Sequence, residues 1–333
     1  MRAFICGVKG LVLDDEERVF LREASPWGAI LFRRNVDSPE QVARLTQEIR
    51  DALGRDAPIL VDQEGGRVQR LTTPNWPAYP SAARFETAGD SADAASRLAW
   101  LGGRLIAQDL RAVGIDVDCL PVLDTPAPGS HEIISDRAYS RNPADVARLG
   151  RAAAEGLMAG GVAPVMKHIP GHGRARADSH LELPVVDAPR AELERVDFPP
   201  FRANADLPMA MSAHVVYTAI DPDAPCTWSK TVIEEIVRRE IGFDGLLMTD
   251  DLSMKALSGD FRSRAERAIL AGCDIVLHCN GDLAEARPVA EGAPILAGKA
   301  LDRAARALDC VRACAPFDEV AARAEFAAAF AAG

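Results

Sequence analysis

Eight short apolar runs, rich in Val, Ile and Leu, punctuate the chain and alternate with longer amphipathic segments. Few of these runs show a clean alternation of apolar and polar positions, which is typical of parallel strands covered on both faces. They read, in order, "AFICGV", "GAILFRRN", "APILVDQE", "IDVDCLPVLD", "VAPVMKHIP", "MAMSAHVVY", "DGLLMTDD" and "CDIVLHCN".

The segments between the runs predict helices, among them 38–53, 142–160, 228–241 and 262–272. Ser38, followed by a proline, is a sound helix start. Repeated strand-then-helix units in 333 residues predict an α/β fold, a single-domain (β/α)8 TIM barrel. Ala-rich sequence after about residue 285 would supply closing helices. We find no linker or repeat, so we expect residues 1–333 to form one catalytic barrel without a second domain.

Polar residues fall at or just after the carboxyl ends of most of these runs. The carboxyl ends of barrel strands converge on one face, where such enzymes keep their chemistry. Single strand ends are often polar merely because a loop begins there, but a series in register favours a shared site. The series comprises Asn35, Asp62, Asp124, His168, His214, Asp250 and Asn280.

The charge and cysteine content narrow the class of partner. A net charge of −11 argues against nucleic acid and against an anionic membrane surface. Seven cysteines without a C-x-x-C pair predict reduced thiols and a cytoplasmic location. The N-terminus reads as a first strand rather than a signal peptide. We expect a monomer that acts on a small molecule.

The loop "KHIPGHGRARADSH", residues 167–180, concentrates candidate chemistry. His168 and His172 have the spacing of a zinc pair, but Pro170 and Gly171 interrupt the helix that this spacing requires, so the sequence disfavours a metal. Proton transfer is the alternative. Asp178, two residues from His180, could orient its ring for general acid/base work. A surface Asp–His pair without a task is equally compatible with this spacing.

The stretch "LLMTDDLSMKAL", residues 246–257, favours catalysis. Neighbouring strand residues point in opposite directions, so only one of its two carboxylates should face the barrel mouth. Asp251 could cap a helix beginning at "LSMKAL", which leaves Asp250 to face a substrate. A strand-end carboxylate and a separate acid/base are the equipment of a retaining glycosidase. Both acids could instead serve as loop caps.

These residues carry a family resemblance. "KHIPGHG" followed by "DSH", together with "MTDDLSM", resembles family 3 glycoside hydrolases, specifically the single-domain β-N-acetylglucosaminidases (β-hexosaminidases) of peptidoglycan recycling, the NagZ type. The resemblance continues through "VDQEGGRVQR", "PVLD", "DRAYS" and "SAHVVY", and so covers the chain from the first strand to the last.

The resemblance implies Asp250 as the nucleophile and His180, paired with Asp178, as the acid/base. It also implies that Lys167 and His168 bind sugar hydroxyls, and that the loop framework is formed by Gly171, His172 and Gly173. Asp62 and Arg70 would hold the non-reducing sugar, with Arg137 near them and His214 lining the pocket.

Without the resemblance, the binding residues have structural alternatives. Asp62 and Arg70 could form a salt bridge at the Gly65–Gly66 turn, and Arg137 and His214 could make ordinary strand-end hydrogen bonds.

Arg174 and Arg176 depart from the pattern of the family. Exposed arginines are usually solvated; our alternative hypothesis is that one of them meets a carboxylate of a muropeptide leaving group.

The resemblance therefore predicts an exo-acting glycosidase that removes terminal GlcNAc from GlcNAc-1,6-anhydro-MurNAc, with or without its peptide. This chemistry needs no cofactor. Two alternatives stay open. One is a β-glucosidase or a phosphorylase on the same barrel, and the other is a catalytically silent sugar-binding protein.

Overall fold

A closed barrel of parallel strands forms the centre of the molecule. A computed structural model describes residues 1–179, 181–312 and 314–331. The barrel confirms the predicted fold class, and each strand falls within, or within two residues of, one of the apolar runs. The strands are β1 Arg2–Gly7, β2 Pro26–Leu31, β3 Ile59–Val61, β4 Val117–Asp118, β5 Ala163–Ile169, β6 Met209–Ser212, β7 Leu246–Asp251 and β8 Ile275–His278.

Closure is made by β1, which pairs in parallel with both β8 and β2. Phe4 lies opposite Val276 on one side, and Ile5 lies opposite Gly28 on the other. All strands of the barrel therefore point the same way, and their carboxyl ends meet at one face.

Helices cover the outside of the barrel. Ser38 caps the second helix as predicted, because its hydroxyl accepts from the Gln41 amide at 3.3 Å. The helices are α1 Asp15–Ala24, α2 Pro39–Leu53, α3 Ala92–Ala112, α4 Pro143–Ala159, α5 Phe198–Ala203, α6 Val232–Glu240 (π-helical), α7 Phe261–Ala271, α8 Leu283–Gly292, α9 Gly298–Arg306 and α10 Glu319–Phe330.

Short elements complete the loops. The helical turns are Arg33–Asn35, Ala82–Phe85, Ser135–Arg137, Arg190–Glu192, Leu193–Asp197 (π-helical), Cys226–Trp228 and Asp309–Arg312. Short strand pairs are formed by Gln63–Gly65 with Val68–Gln69 and by Val185–Val186 with Val216–Tyr217.

The core has two parts because successive strand residues face opposite sides. In β7, Leu246 and Met248 belong to the cluster inside the barrel, whereas Leu247 belongs to the cluster between strands and helices. The same alternation directs Asp250 inward at the carboxyl end of the strand.

Two details differ from the sequence prediction. The run 115–124 contains only two residues of regular strand, Val117 and Asp118. Residues 252–257 form turns rather than a helix. Within the described parts of the chain, no helix combines the length and apolarity needed to cross a membrane.

Candidate active site

A cavity opens at the face where the strands end. Its volume is about 270 Å³, just below the range of roughly 300–1,000 Å³ that is usual for small-molecule sites. Most of the predicted site residues that the structure describes line it. The polar and charged lining includes Asp62, Glu64, Arg67, Arg70, Arg137, Lys167, His168, His172, Ser179, Asp250 and Asp251.

A network of buried charges forms one wall of this cavity. The Lys167 ammonium lies 2.8 Å from Asp62 and 2.6 Å from Glu64. Arg137 binds both carboxylate oxygens of Glu64 at 2.8 Å. Arg70 donates to Asp62 at 3.1 Å. Three cations and two carboxylates, contributed by residues 62–70, by β5 and by the turn Ser135–Arg137, are thereby held in fixed positions.

The network keeps its members ionised although burial opposes charge. Burial alone would raise the pKa of Asp62, but Lys167 and Arg70 lower that pKa below its ordinary value. Arg137 and Lys167 likewise outweigh burial and lower the pKa of Glu64 to about 2. The pKa of Lys167 is raised, because Asp62 and Glu64 outweigh its desolvation.

Two donors of the network keep hydrogen-bonding capacity for a ligand. Lysine has three N–H donors, and within the described chain Lys167 uses its donors on Asp62 and Glu64. The Nε atom of Arg70 is buried and has no partner among the described residues. Fixed, partly unsatisfied donors beside carboxylate acceptors suit the hydroxyls of a sugar.

Asp250 also lines this cavity. Its Oδ1 accepts from the Asp251 amide at 2.8 Å, and its Oδ2 lies 4.0 Å from His168 Nε2. Burial works to raise the pKa of Asp250, but His168, His214 and the Asp251 amide together lower it. The result is an ionised carboxylate that faces the cavity.

His168 is oriented by Asp124. The His168 Nδ1 atom lies 2.7 Å from Asp124 Oδ2, and the other oxygen of Asp124 accepts from the amides of His168 and His172 at 3.1 and 2.6 Å. Despite complete burial, His168 and His172 lower the pKa of Asp124. This pairing assigns Nδ1 as the donor and aims Nε2 at Asp250.

The loop after β5 packs tightly under the cavity. A Cβ at Gly173 would lie 2.0 Å from the Thr125 carbonyl oxygen, so only glycine fits there. Burial lowers the pKa of His172 to about 4, so its ring is neutral at physiological pH. Ser179 is buried and lines the cavity.

The predicted acid/base pair is only partly visible. Asp178 is described, and its carbonyl accepts from the amides of Leu181 and Glu182 at 2.9 and 3.0 Å. His180 lies outside the described residues, so its predicted role stays a prediction.

Two residues make contacts that differ from those expected from the sequence. His214 does not line the cavity: it is fully buried, with Nδ1 2.7 Å from the Thr227 hydroxyl and Nε2 3.1 Å from the Asp251 carbonyl. Asp251 caps no helix; its carboxylate accepts from the amides of Ser253 and Cys279.

Two members of the strand-end series are structural. Asn35 donates to the carbonyls of Val8 and Gly10 at 3.0 and 2.8 Å, which ties loops together. The exposed Asn280 bonds to Glu285.

The muropeptide hypothesis does not fit Arg174, because that guanidinium binds Asp197 and Glu192 at 2.6 and 2.9 Å. Arg176 is exposed.

Sequence reasoning missed Glu64, which lies two residues after Asp62 in "VDQEGG". The spacing of two puts both carboxylates on one side of an extended segment, and this signal could have identified it. Asp124 was assigned only to the strand-end series, and its partner His168 could not be read from the sequence.

Among the described residues, no group of three or more His, Cys, Asp or Glu side chains is arranged to hold a metal ion. The lining offers hydrogen-bond donors and the ionised carboxylates Asp62, Glu64 and Asp250, of which Asp250 is the one that has no lysine or arginine partner among the described residues.

Known proteins share the sequence pattern and the fold of this chain. Residues 11–308 match the glycosyl hydrolase family 3 N-terminal domain. A β-hexosaminidase from Bordetella avium is 41% identical over 287 residues, which are 84% of this chain and 81% of that protein.

Solved structures are also similar. NagZ from Neisseria gonorrhoeae, native and in complex with N-trifluoroacetyl-D-glucosamine, is 35% identical with a TM-score of 0.85, over 99% of this chain and 96% of that chain. A family 3 β-N-acetylglucosaminidase from Paenibacillus sp. is 33% identical with a TM-score of 0.84; the match covers 95% of this chain but only 63% of that longer one. The expected resemblance is thus confirmed, and the chain belongs to glycosyl hydrolase family 3 and is a glycoside hydrolase.

Proposed function

We propose that the protein is an exo-acting, retaining β-N-acetylglucosaminidase that removes terminal GlcNAc through a covalent glycosyl-Asp250 intermediate. The observation that carries this proposal is the ionised Asp250 carboxylate, which lines the same cavity of about 270 Å³ as a fixed set of hydrogen-bond donors. A nucleophile in a cavity of that size suits one terminal sugar.

In the first step, an oxygen of Asp250 bonds to the anomeric carbon while the bond from that carbon to the leaving oxygen breaks. His180 gives its proton to the departing oxygen, and Asp178 orients the ring and stabilises its protonated form. In the second step, His180 takes a proton from water, the water oxygen bonds to the anomeric carbon, and Asp250 is released. Two displacements restore the original configuration.

His168 supports the nucleophile in this scheme. With Nδ1 held by Asp124, the ring presents Nε2 toward Asp250 at 4.0 Å. That arrangement favours the carboxylate form of Asp250 and leaves the ring near the sugar hydroxyls.

The charged wall would bind the non-reducing sugar. Arg70 and Lys167 donate to hydroxyls, and Asp62 accepts from them. Arg137 holds Glu64 in place, because the Arg137 guanidinium donates to both carboxylate oxygens of Glu64. Its effect on the sugar would therefore pass through Glu64. A sugar lacking a matching hydroxyl would leave buried charges unsatisfied and bind poorly.

The ligand of the gonococcal NagZ complex, N-trifluoroacetyl-D-glucosamine, and the β-N-acetylglucosaminidase activity of the Paenibacillus enzyme support an acetamido sugar as substrate. We extend the proposal to GlcNAc-1,6-anhydro-MurNAc, with or without its peptide, and to peptidoglycan recycling. The free thiols of all seven cysteines agree with action in the cytoplasm.

We also propose that residues 1–333 work as one catalytic barrel. The terminal helices pack back onto it: Phe326 of α10 contacts Tyr79 with ring centroids 6.1 Å apart, and Arg303 of α9 binds Asp274 at 3.0 Å.

The test compares hydrolysis of an aryl β-N-acetylglucosaminide with that of the matching aryl β-glucoside in phosphate-free buffer, with Asp250→Ala as control. A strong preference for the acetamido sugar that disappears in the control is expected. Preference for glucose would contradict the substrate, and turnover that requires added phosphate and yields a sugar phosphate would identify a phosphorylase.

A further inference from the structure

Arg174 lies in the loop that leads from β5 to Asp178, and its side chain is bound on two sides. Its Nε donates to Asp197 at 2.6 Å, and its terminal Nη1 donates to Glu192 at 2.9 Å. The guanidinium side chain is only 12% exposed. Both carboxylates belong to residues 190–197, the helical turns that precede α5.

Asp197 also touches the base of the same loop. Gly171 has a φ of +136°, and a Cβ at that position would lie 3.1 Å from the Asp197 Cβ. On the other side of the loop, the Tyr217 hydroxyl donates to the Gly171 carbonyl at 2.8 Å. Gly171, at the start of the loop, therefore packs against Asp197, and Arg174 binds the same residue three positions later.

We propose that Arg174 is a positioning residue that clamps the loop 171–179 to the 190–197 segment and so holds the backbone of Asp178, the residue that the proposed mechanism pairs with the acid/base. This inference rests on the proposed function, since it assigns the acid/base role to the loop.

The geometry requires arginine. Two different nitrogens of one planar group reach two carboxylates, whereas a lysine ammonium is a point charge that cannot reproduce that fork. Asp197 is 1% exposed, and burial raises its pKa to about 6 although Arg174 lowers it. Without Arg174, Asp197 would keep no charged partner in the described chain.

Backbone hydrogen bonds also hold the loop, so the removal of Arg174 should disturb the structure only locally. The Gly173 and Ala175 carbonyls accept from the amides of Ala127 and His131 at 2.9 and 2.8 Å. Removal of Arg174 should therefore loosen the loop without unfolding the barrel.

The first experiment measures amide hydrogen exchange in Arg174→Ala beside Arg151→Ala. Arg151 is a matched control, because it also binds two carboxylates, Glu155 and Asp206 at 2.7 and 2.6 Å, but lies on α4. Peptides spanning 171–179 should exchange at least about tenfold faster in Arg174→Ala only, with strand β5 unchanged. Unchanged exchange in the loop, or the same change in Arg151→Ala, would overturn the clamp.

The second experiment separates positioning from mere stability. Arg174→Ala should lower kcat by about tenfold or more for a substrate with a poor leaving group and far less for an activated aryl glycoside, with KM unchanged. Asp197→Asn should reproduce this pattern, and Arg174→Lys should restore it only in part. Equal losses on both substrates would overturn the positioning role. Failure of the wild type to hydrolyse either substrate would contradict the proposed function, while hydrogen exchange would still decide whether the clamp exists.

Discussion

The Nε2 atom of His168 lies 4.0 Å from the Oδ2 atom of Asp250. Because Asp124 holds the other ring nitrogen at 2.7 Å, the histidine has one orientation in which it can face the nucleophile. The segment after β4, which carries Asp124, and the carboxyl ends of β5 and β7 thus act together on the ionisation of the Asp250 carboxylate.

The contact between His168 and Asp250 predicts how activity depends on pH. Burial alone would raise the pKa of Asp250 above its ordinary value of 3.8, but His168, His214 and the Asp251 amide reverse that effect. The ionised nucleophile is lost only as the pH falls through this lowered value. We expect the acidic limb of kcat/KM to lie below pH 3.8, measured in brief assays with activity checked after return to neutral pH. The assay uses an activated aryl glycoside, which depends little on the Arg174–Asp197 contact, and an acidic limb above that value on this substrate would contradict the assignment.

Asp124→Asn should misorient His168 without touching a substrate. The asparagine side chain has one accepting oxygen and one NH2 group, whereas both oxygens of Asp124 accept hydrogen bonds. The NH2 group would face the His168 ring, so the hydrogen bond that directs Nε2 toward Asp250 is lost. We expect kcat to fall by about tenfold or more, equivalent to roughly 1.4 kcal/mol, with KM little changed. A variant that raised only KM would place Asp124 in binding instead.

Glu64→Gln should weaken both binding and stability. It removes the carboxylate that Lys167 and Arg137 share, and breaking a buried pair costs about 3–5 kcal/mol. We expect a raised KM and a lower free energy of unfolding in urea. Glu266→Gln, which breaks an exposed pair with Arg262, serves as control and should change neither.

The stability effect of Glu64 should itself depend on pH. Its pKa is about 2 in the folded protein against an ordinary 4.5, so its contribution is fully present above pH 4.5 and is lost as the pH falls from 4.5 toward 2. The difference in unfolding free energy between wild type and Glu64→Gln should shrink over that window. A difference independent of pH would show that the charge is not responsible.

His180→Ala should impair substrates according to their leaving groups. A poor leaving group needs the proton, so its kcat should fall by roughly 10²–10⁴-fold, whereas an activated aryl glycoside should be affected far less. Parallel measurements on the two substrates check this. A uniform loss on both would indicate a structural role for His180.

The barrel and the face that carries the candidate site could be predicted, because both follow from the pattern of apolar and polar residues along each strand. Apolar runs ending in polar residues gave the barrel and its carboxyl-terminal face, and alternation along β7 selected Asp250 over Asp251. These inferences need only residues that are neighbours in sequence.

The ion pairs within the charged wall of the cavity could not be predicted in the same way. Glu64 and Arg137 are 73 positions apart, and their bond depends on how two loops fold over one face. The helix expected after Asp251 failed for the same reason, because the Asp251 carboxylate is taken by the Cys279 amide of the adjacent strand end. The sequence predicted a solvated Arg174, because its carboxylate partners lie on a separate segment, residues 190–197.

The proposed mechanism depends on a covalent bond between the sugar and Asp250. The most direct test incubates the enzyme with a fluorinated N-acetylglucosaminyl fluoride, whose second step is slow, and maps the adduct by peptide mass spectrometry. The proposed mechanism predicts one sugar per chain on the peptide containing Asp250, and none in Asp250→Asn. An adduct on another residue, or rapid inversion of configuration without any adduct, would contradict it.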